Sequence, residues 1–166
     1  VHKLPIIFVC HNNKLAISVP QRKQMAIENL ADRAAGYNFP GYVVDGTDTL
    51  EIYERTHEAI ERARANSGGP TFLELKVERM KPHTTDDDDR RYRSPEELEQ
   101  ARNGDPIPPL REYLLGLGLL TKEIEENMQA ASRQEIDNAT EAAEQAPWPD
   151  TSTLFDHIYA DSKVTL

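Results

Sequence analysis

"LPIIFVC", residues 4–10, carries no charge and alternates with nothing polar. An unbroken apolar run of this length reads as a parallel strand buried on both faces, because an antiparallel strand with one wet face would alternate. Two further segments fit the same sheet. Tyr42-Val43-Val44 is a short strand stopped by Asp45-Gly46. Thr71 to Glu78 alternates, with Leu73, Leu75 and Val77 on one side and Glu74, Lys76 and Glu78 on the other, which predicts a strand with one wetter face. Cys10, the single cysteine, excludes an internal disulfide and a cysteine-rich zinc site, and its place in an apolar strand predicts packing rather than reactivity.

Helical patterns separate these strands. Ala26, Ile27, Leu30, Ala31 and Ala34 recur at helical spacing from about Gln21, with Gly36 as a stop. Asp48-Thr49-Leu50-Glu51 opens a second helix in the manner of a capping box, with Tyr53, Ile60 and Ala63 on its apolar face and Ser67-Gly68-Gly69-Pro70 at its end. Strand, helix, strand, helix, strand implies parallel pairing with crossover helices, an α/β class. Ligands in such sheets bind beyond the carboxyl ends of the strands. Three loops leave those ends: His11 to Lys14, Asp45 to Asp48, and Lys81 to Arg93. A chain that starts at once on a central strand leads us to expect a further segment upstream of Val1.

From Ser94 the pattern changes. Ser94-Pro95-Glu96-Glu97 starts a helix with proline in its first turn. Asp105 to Pro109 is a stiff break, Leu110 to Leu120 a short helix, and Thr121 to Gln145 a long acidic helix. Its thin apolar stripe runs through Ile124, Met128, Ala131, Ile136, Ala139 and Ala143. Pro147-Trp148-Pro149 ends it, and Leu154 to Tyr159 fits a last helical turn. We therefore expect an α/β domain over residues 1–93 and a helical C-terminal appendage, packing on other subunits, over residues 94–166.

The formal net charge of −10 excludes general affinity for nucleic acid, which needs a basic face. No apolar run is long enough to span a bilayer, and no basic-then-apolar leader is visible.

Three polar groups are candidates for chemistry. Asn12-Asn13 reads either as a turn or as a source of oxygen ligands for Mg²⁺. His83 is either a surface histidine or a donor to a phosphate or reacting group near neutral pH. Asp86-Asp87-Asp88-Asp89 runs into Arg90-Arg91 without the turn glycine of a calcium-binding helix-loop-helix. The arginines that follow it, Arg90, Arg91 and Arg93, point to a self-paired loop suited to docking or gating, or else to a solvated charge run.

Taken together, "LPIIFVCHNNKLAISVP", "VDGTD", "GGPTFLELKVER", "HTTDDDDRRYR", "DPI" and "YLLGLGLL" resemble the alpha subunit of the thiamine-diphosphate-dependent decarboxylase component of 2-oxo acid dehydrogenase complexes. The Asp-rich loop is more like the branched-chain (2-oxoisovalerate) branch than the pyruvate branch.

The resemblance implies the back half of a thiamine-diphosphate-binding fold. The family's diphosphate motif opens with Gly-Asp-Gly and closes on Asn-Asn; the opening half is not in this sequence. By resemblance, Asn13 through its side chain and Leu15 through its carbonyl would bind Mg²⁺, with Ala16 and Ile17 beside the cofactor. His83 would reach the diphosphate and the reacting centre. His11 stands where branched-chain relatives often carry arginine near the phosphate. Arg79, Asp87 and Arg93 would anchor the loop, and Thr84 falls where mitochondrial relatives carry a regulatory serine.

The implied activity is oxidative decarboxylation of a branched-chain 2-oxo acid with acyl transfer to a lipoyl arm. The implied partners are a beta subunit, in an α₂β₂ heterotetramer, and a lipoyl-bearing acyltransferase. The expected location is the bacterial cytoplasm, with the mitochondrial matrix as the alternative. Such a segment is expected to be inactive alone. A pyruvate-specific relative and a non-catalytic interaction module are the competing readings.

Overall fold

The computed structural model describes residues 1–65 and 68–158. Five strands and four α-helices follow one another as β1 (Ile7–Asn12), β2 (Leu15–Ala16), β3 (Val19–Pro20), β4 (Gly41–Asp45), α1 (Thr49–Arg64), β5 (Thr71–Lys76), α2 (Pro95–Asn103), α3 (Ile107–Gly116) and α4 (Lys122–Gln145). The protein is α/β. β1, β5 and β4 form a parallel sheet in that order, and β2 pairs antiparallel with β3 as a small hairpin.

β5, not β1, is the central strand. It is hydrogen-bonded on both edges, so its backbone is satisfied without water. Leu73 is 1% exposed and packs with Val44, Ala59 and Leu75. The expectation that residues 4–10 form a strand buried on both faces is corrected. Phe8 is 44% and Val9 52% exposed, because β1 pairs with β5 alone among the described residues and little covers it. Cys10 is half-buried, and desolvation, helped by the Glu74 charge, pushes its thiol above the ordinary value.

The expected wet face of β5 is also corrected. Glu74 is fully buried. Its Oε1 accepts from Asn12 Nδ2 at 2.6 Å and from Lys76 Nζ at 2.7 Å, and its Oε2 accepts from the Ala31 N–H at 2.8 Å. Burial pushes its carboxyl up, but the bonds from Lys76, Asn12 and Ala31 outweigh this and leave it below the usual value. The stabilisation it contributes is present above the ordinary glutamate range and is lost as pH falls through that lowered value.

The same carboxylate explains why no continuous helix runs from Gln21 to Gly36. Glu74 takes the Ala31 N–H, and the Gln21 and Lys76 side chains both take the Glu28 carbonyl, so these groups are not free for a helical ladder. Two 3-10 segments form instead, Gln21–Lys23 and Leu30–Tyr37, and Asn38 closes the second at a left-handed φ of 60°. The first connection between parallel strands is therefore 3-10 and the second is α1.

Asp48 caps α1 through the N–H groups of Leu50 and Glu51. Glu51 does not return the bond to Asp48; it accepts from the Asp45 N–H at 3.2 Å. The buried position on α1 is Ala59, with Ile52 packed beside it, whereas Tyr53 faces solvent. Gly46 leaves β4 where a Cβ would lie 2.3 Å from Val77 Cγ1, so only glycine fits. Ser67, expected at the end of α1, lies outside the described residues.

Two compact units divide at Gly116–Leu117. The first includes α2, whose Ser94–Glu97 capping box is complete and whose Ala101 is buried, and α3. Pro108 and Pro109 sit inside the first turn of α3, where a missing N–H costs no helical bond, so the stiff break is shorter than expected. The second unit holds α4, capped by Thr121, and a 3-10 turn at Thr151–Phe155. Ile124, Met128 and Ile136 on α4 are exposed, as is Trp148. Tyr159, part of the expected last turn, lies outside the described residues.

Replacing Leu73 by Ala is expected to destabilise the fold by about 2–5 kcal/mol, the usual cost of a core cavity. Tyr53→Ala is expected to stay within about 0.5 kcal/mol. Urea unfolding of both variants beside the parent measures the difference.

Candidate functional site

Parallel pairing brings the ends of β1, β4 and β5 to one edge. The turn that leaves β1 is built by two consecutive asparagines. Asn12 Oδ1 accepts from the Lys14 N–H at 2.9 Å, and Asn13 Oδ1 accepts from the Leu15 N–H at 3.0 Å. These Asx turns hold Lys14 at a left-handed φ of 62°. Lys14 O then accepts from the Gln21 N–H at 2.8 Å, which seats the β2–β3 hairpin. Ile17, at its tip, has a φ of 56°. A β-branched residue rarely adopts that region, so the tip is strained.

A cleft of about 260 Å³ opens beside this turn. Asn13, Lys14, Leu15, Pro20 and Arg22 line one side, and Glu78, Tyr92, Arg93, Glu97 and Gln100 complete it. Lys14 Nζ and Glu78 Oε1 pair at 2.6 Å at its mouth.

The Asp-rich loop is ordered by a chain of contacts. Arg79 Nη1 donates to Ile17 O at 2.8 Å and Arg79 Nη2 to the Tyr92 hydroxyl at 2.6 Å. The Tyr92 hydroxyl donates to Asp87 Oδ2, which also accepts from the His83 N–H at 2.8 Å. Arg79 and Asp87 are 4.0 Å apart directly, and the guanidinium lies 5.8 Å from the Tyr92 ring centroid. Arg93 donates to the Arg79 carbonyl at 2.7 Å and lies 3.7 Å from Asp89. Asp88 takes a forked pair of bonds from Arg90, at 2.7 and 3.0 Å. The hydrogen bonds from Tyr92 and from the His83 backbone hold the Asp87 carboxyl below its ordinary value. Desolvation and Asp87 together push the Tyr92 phenol up.

The predicted site residues therefore fall into three groups. Asn13 and Leu15 share the cleft with Arg93. Ala16 and Ile17 are exposed on the adjoining hairpin, and Ile17 is tied to Arg79 and so to Asp87. His83, Thr84 and His11 are exposed and are not among the cleft's lining residues. The His83 backbone is pinned by Asp87, and the Thr84 carbonyl accepts from the Asp87 N–H at 3.2 Å. His11 sits on β1, two residues before Asn13.

Two residues of this arrangement were not anticipated. Tyr92 is the only aromatic residue among the charges of the loop, and that contrast was its available signal. Glu74 was hidden by strand alternation, which is blind to a helix or 3-10 segment lying across the polar side.

Because Asp87 is held ionised, order in the loop is expected to persist as pH falls through the ordinary aspartate value of about 3.9. It should fail only below that, where the lowered Asp87 carboxyl protonates. Tyr92→Phe removes the strongest of these bonds and should move the failure to higher pH. Hydrogen exchange at the His83 amide, with the Val44 amide as a core reference, measures both effects.

The chain matches the family model described as dehydrogenase E1 component over residues 1–152. It is 48% identical over 160 residues to the 2-oxoisovalerate dehydrogenase subunit alpha of Bacillus subtilis, an alignment that covers 96% of this chain and 48% of that protein. It is 40% identical over 161 residues to the 3-methyl-2-oxobutanoate dehydrogenase subunit alpha of Mycobacterium tuberculosis, covering 97% of this chain and 44% of the relative. A pyruvate dehydrogenase E1 component subunit alpha from Staphylococcus epidermidis is 38% identical, covering 96% and 43%. The chain thus spans about half the length of the curated relatives it matches. A match over residues 1–152 means that the chain belongs to the dehydrogenase E1 component family.

Proposed function

We propose that the chain is part of the alpha subunit of a thiamine-diphosphate-dependent dehydrogenase that oxidatively decarboxylates branched-chain 2-oxo acids such as 3-methyl-2-oxobutanoate. The carrying observation is the higher identity, 48% and 40%, to relatives named for that substrate than to the pyruvate relative at 38%. In this reading residues 1–93 contribute the closing side of the cofactor site, as the back half of a thiamine-diphosphate fold. Residues 94–166 pack on other subunits as a helical appendage. The partners are a beta subunit, in an α₂β₂ heterotetramer, and a lipoyl-bearing acyltransferase that accepts the acyl group. The location is the bacterial cytoplasm, in line with the bacterial relatives. No helix among the described residues is long and apolar enough to cross a membrane.

The donor set fits half of a Mg²⁺ site. Mg²⁺ takes oxygen ligands in octahedral array and usually keeps phosphate oxygens among them. Asn13 Oδ1 makes one bond, to the Leu15 N–H, and an amide oxygen has a second lone pair to offer. The Leu15 carbonyl belongs to the same turn. No cluster of three or more His, Cys, Asp or Glu side chains able to hold a metal occurs among the described residues, while Glu78 and Glu97 line the same cleft as Asn13 and Leu15.

When bound, thiamine diphosphate supplies the electron sink that loss of CO₂ requires. The residues of this chain hold and shield. Asn13, through its side-chain oxygen, and Leu15, through its carbonyl, would hold the Mg²⁺ that accompanies the diphosphate. Ala16 and Ile17 would lie alongside the cofactor, and Arg79 holds the Ile17 carbonyl in place. The His83 imidazole, carried on a backbone that Asp87 pins, would donate to the diphosphate and assist acyl transfer. His11 contributes beside the phosphate. A phosphate on Thr84 would add roughly two negative charges next to four aspartates and loosen the loop by repulsion.

The test uses the full alpha subunit assembled with its beta subunit. Asn13→Ala and His83→Ala are each expected to lower turnover of 3-methyl-2-oxobutanoate by about a hundredfold or more, the scale of losing a positioned catalytic group. The parent should prefer this acid to pyruvate. Equal rates on the two acids would overturn the branched-chain assignment, and unchanged turnover in both variants would overturn the site.

A further inference from the structure

We infer that Glu74 is a positioning residue for the metal-binding turn: its buried carboxylate orients the Asn12 amide and thereby the backbone that presents Asn13 and Leu15. The inference rests on the reading of that turn as a Mg²⁺ and diphosphate site.

The argument is one of donors and acceptors. An ionised carboxylate accepts and cannot donate. Glu74 Oε1, 2.6 Å from Asn12 Nδ2, therefore forces the amide nitrogen of Asn12 inward. The second hydrogen of that nitrogen goes to Gln21 Oε1 at 2.8 Å, so both donors are used on the inner side. The Asn12 oxygen is left facing the turn, where it accepts from the Lys14 N–H at 2.9 Å. Lys14 lies between Asn13 and Leu15 and is held in the left-handed region. The opposite amide orientation would set Nδ2 against the Lys14 N–H, two donors face to face, and the turn would open. Glu74 is itself held on three sides, by Asn12, Lys76 and Ala31, so the orientation it imposes is rigid. It touches neither proposed ligand directly and acts through Asn12.

Glu74→Gln keeps the size and breaks the logic. With its oxygen toward Asn12, its amide nitrogen opposes the Ala31 N–H. With its oxygen toward Ala31, its nitrogen opposes Asn12 Nδ2 and drives that amide to flip. Asn12→Ala removes the same link from the other side while leaving Glu74 its bonds to Lys76 and Ala31.

The experiment measures Mg²⁺-dependent binding of thiamine diphosphate to the assembled α₂β₂ enzyme by fluorescence quenching or calorimetry, with no turnover involved. Glu74→Gln and Asn12→Ala are each expected to raise the Mg²⁺ concentration for half-saturation about tenfold, the effect typical of losing a group that orients a metal ligand. The double variant should be no worse than either single one, as expected for residues acting through one link. Leu73→Ala, which weakens the same strand without touching Asn12, should leave the half-saturation unchanged.

Equal shifts in Leu73→Ala and Glu74→Gln would reduce Glu74 to general stability and overturn the inference. So would an unchanged value in Asn12→Ala, the variant that serves if Glu74→Gln does not fold. Asn13→Ala separates the two levels. Lost binding in Asn13→Ala with none in Asn12→Ala overturns the positioning role alone; no loss in Asn13→Ala overturns the metal reading beneath it.

Discussion

A carboxylate with no exposure to water, in the middle of the central strand, is the constraint on which the first unit depends. Moving a charge out of water is costly unless it is paired and hydrogen-bonded. Glu74 meets that condition only when β1, the segment at Ala31 and the Lys76 side chain are all in place. The group therefore demands one arrangement of three parts of the chain. Buried ionic groups are weak evidence for stability, since an apolar replacement of the same volume is often as stable. What such a group supplies here is geometry. It ties the path of residues 21–37 to the central strand through the Ala31 N–H.

The Asp-rich loop follows the opposite logic. Arg90 and Arg91 stand near solvent, where isolated ion pairs contribute little, while Asp89 and Arg93 are buried. Order comes from linkage: Arg79 joins Ile17 to Tyr92, Tyr92 joins Arg79 to Asp87, and Asp87 holds the His83 backbone. Each bond fixes the partner of the next, so few conformers remain once the first is made. The cleft between the two asparagine turns and this loop is thus framed on one side by a rigid buried anchor and on the other by a polar chain that small energies can open. That division sets a fixed turn against a loop whose contacts can change.

In the second unit, α4 carries its apolar stripe exposed, and acidic residues occupy much of its remaining surface. Helical propensity, an N-cap at Thr121 and side-chain bonds such as Gln134–Asn138 maintain it locally.

Much was legible in the sequence because it depends on local rules. Asp48 and Ser94 mark helix starts since a side-chain oxygen satisfies N–H groups two or three residues away. The three parallel strands and the loops at one edge follow from alternating pattern and crossover length. The Asn-Asn turn and the arginines around the aspartates were also readable, because those residue types have few other uses in such spacing. The tertiary structure alone decided that β5 rather than β1 is central, that Tyr53 faces water, that Gln21–Lys23 and Leu30–Tyr37 are separate 3-10 segments and that Tyr92 links the loop. Above all it decided that Glu74 is buried. Each of these depends on what lies across the chain from a residue, as with Asn12 and Glu74, 62 positions apart. Periodicity reports which side of a strand a residue takes, and only packing determines whether that side meets water or another segment.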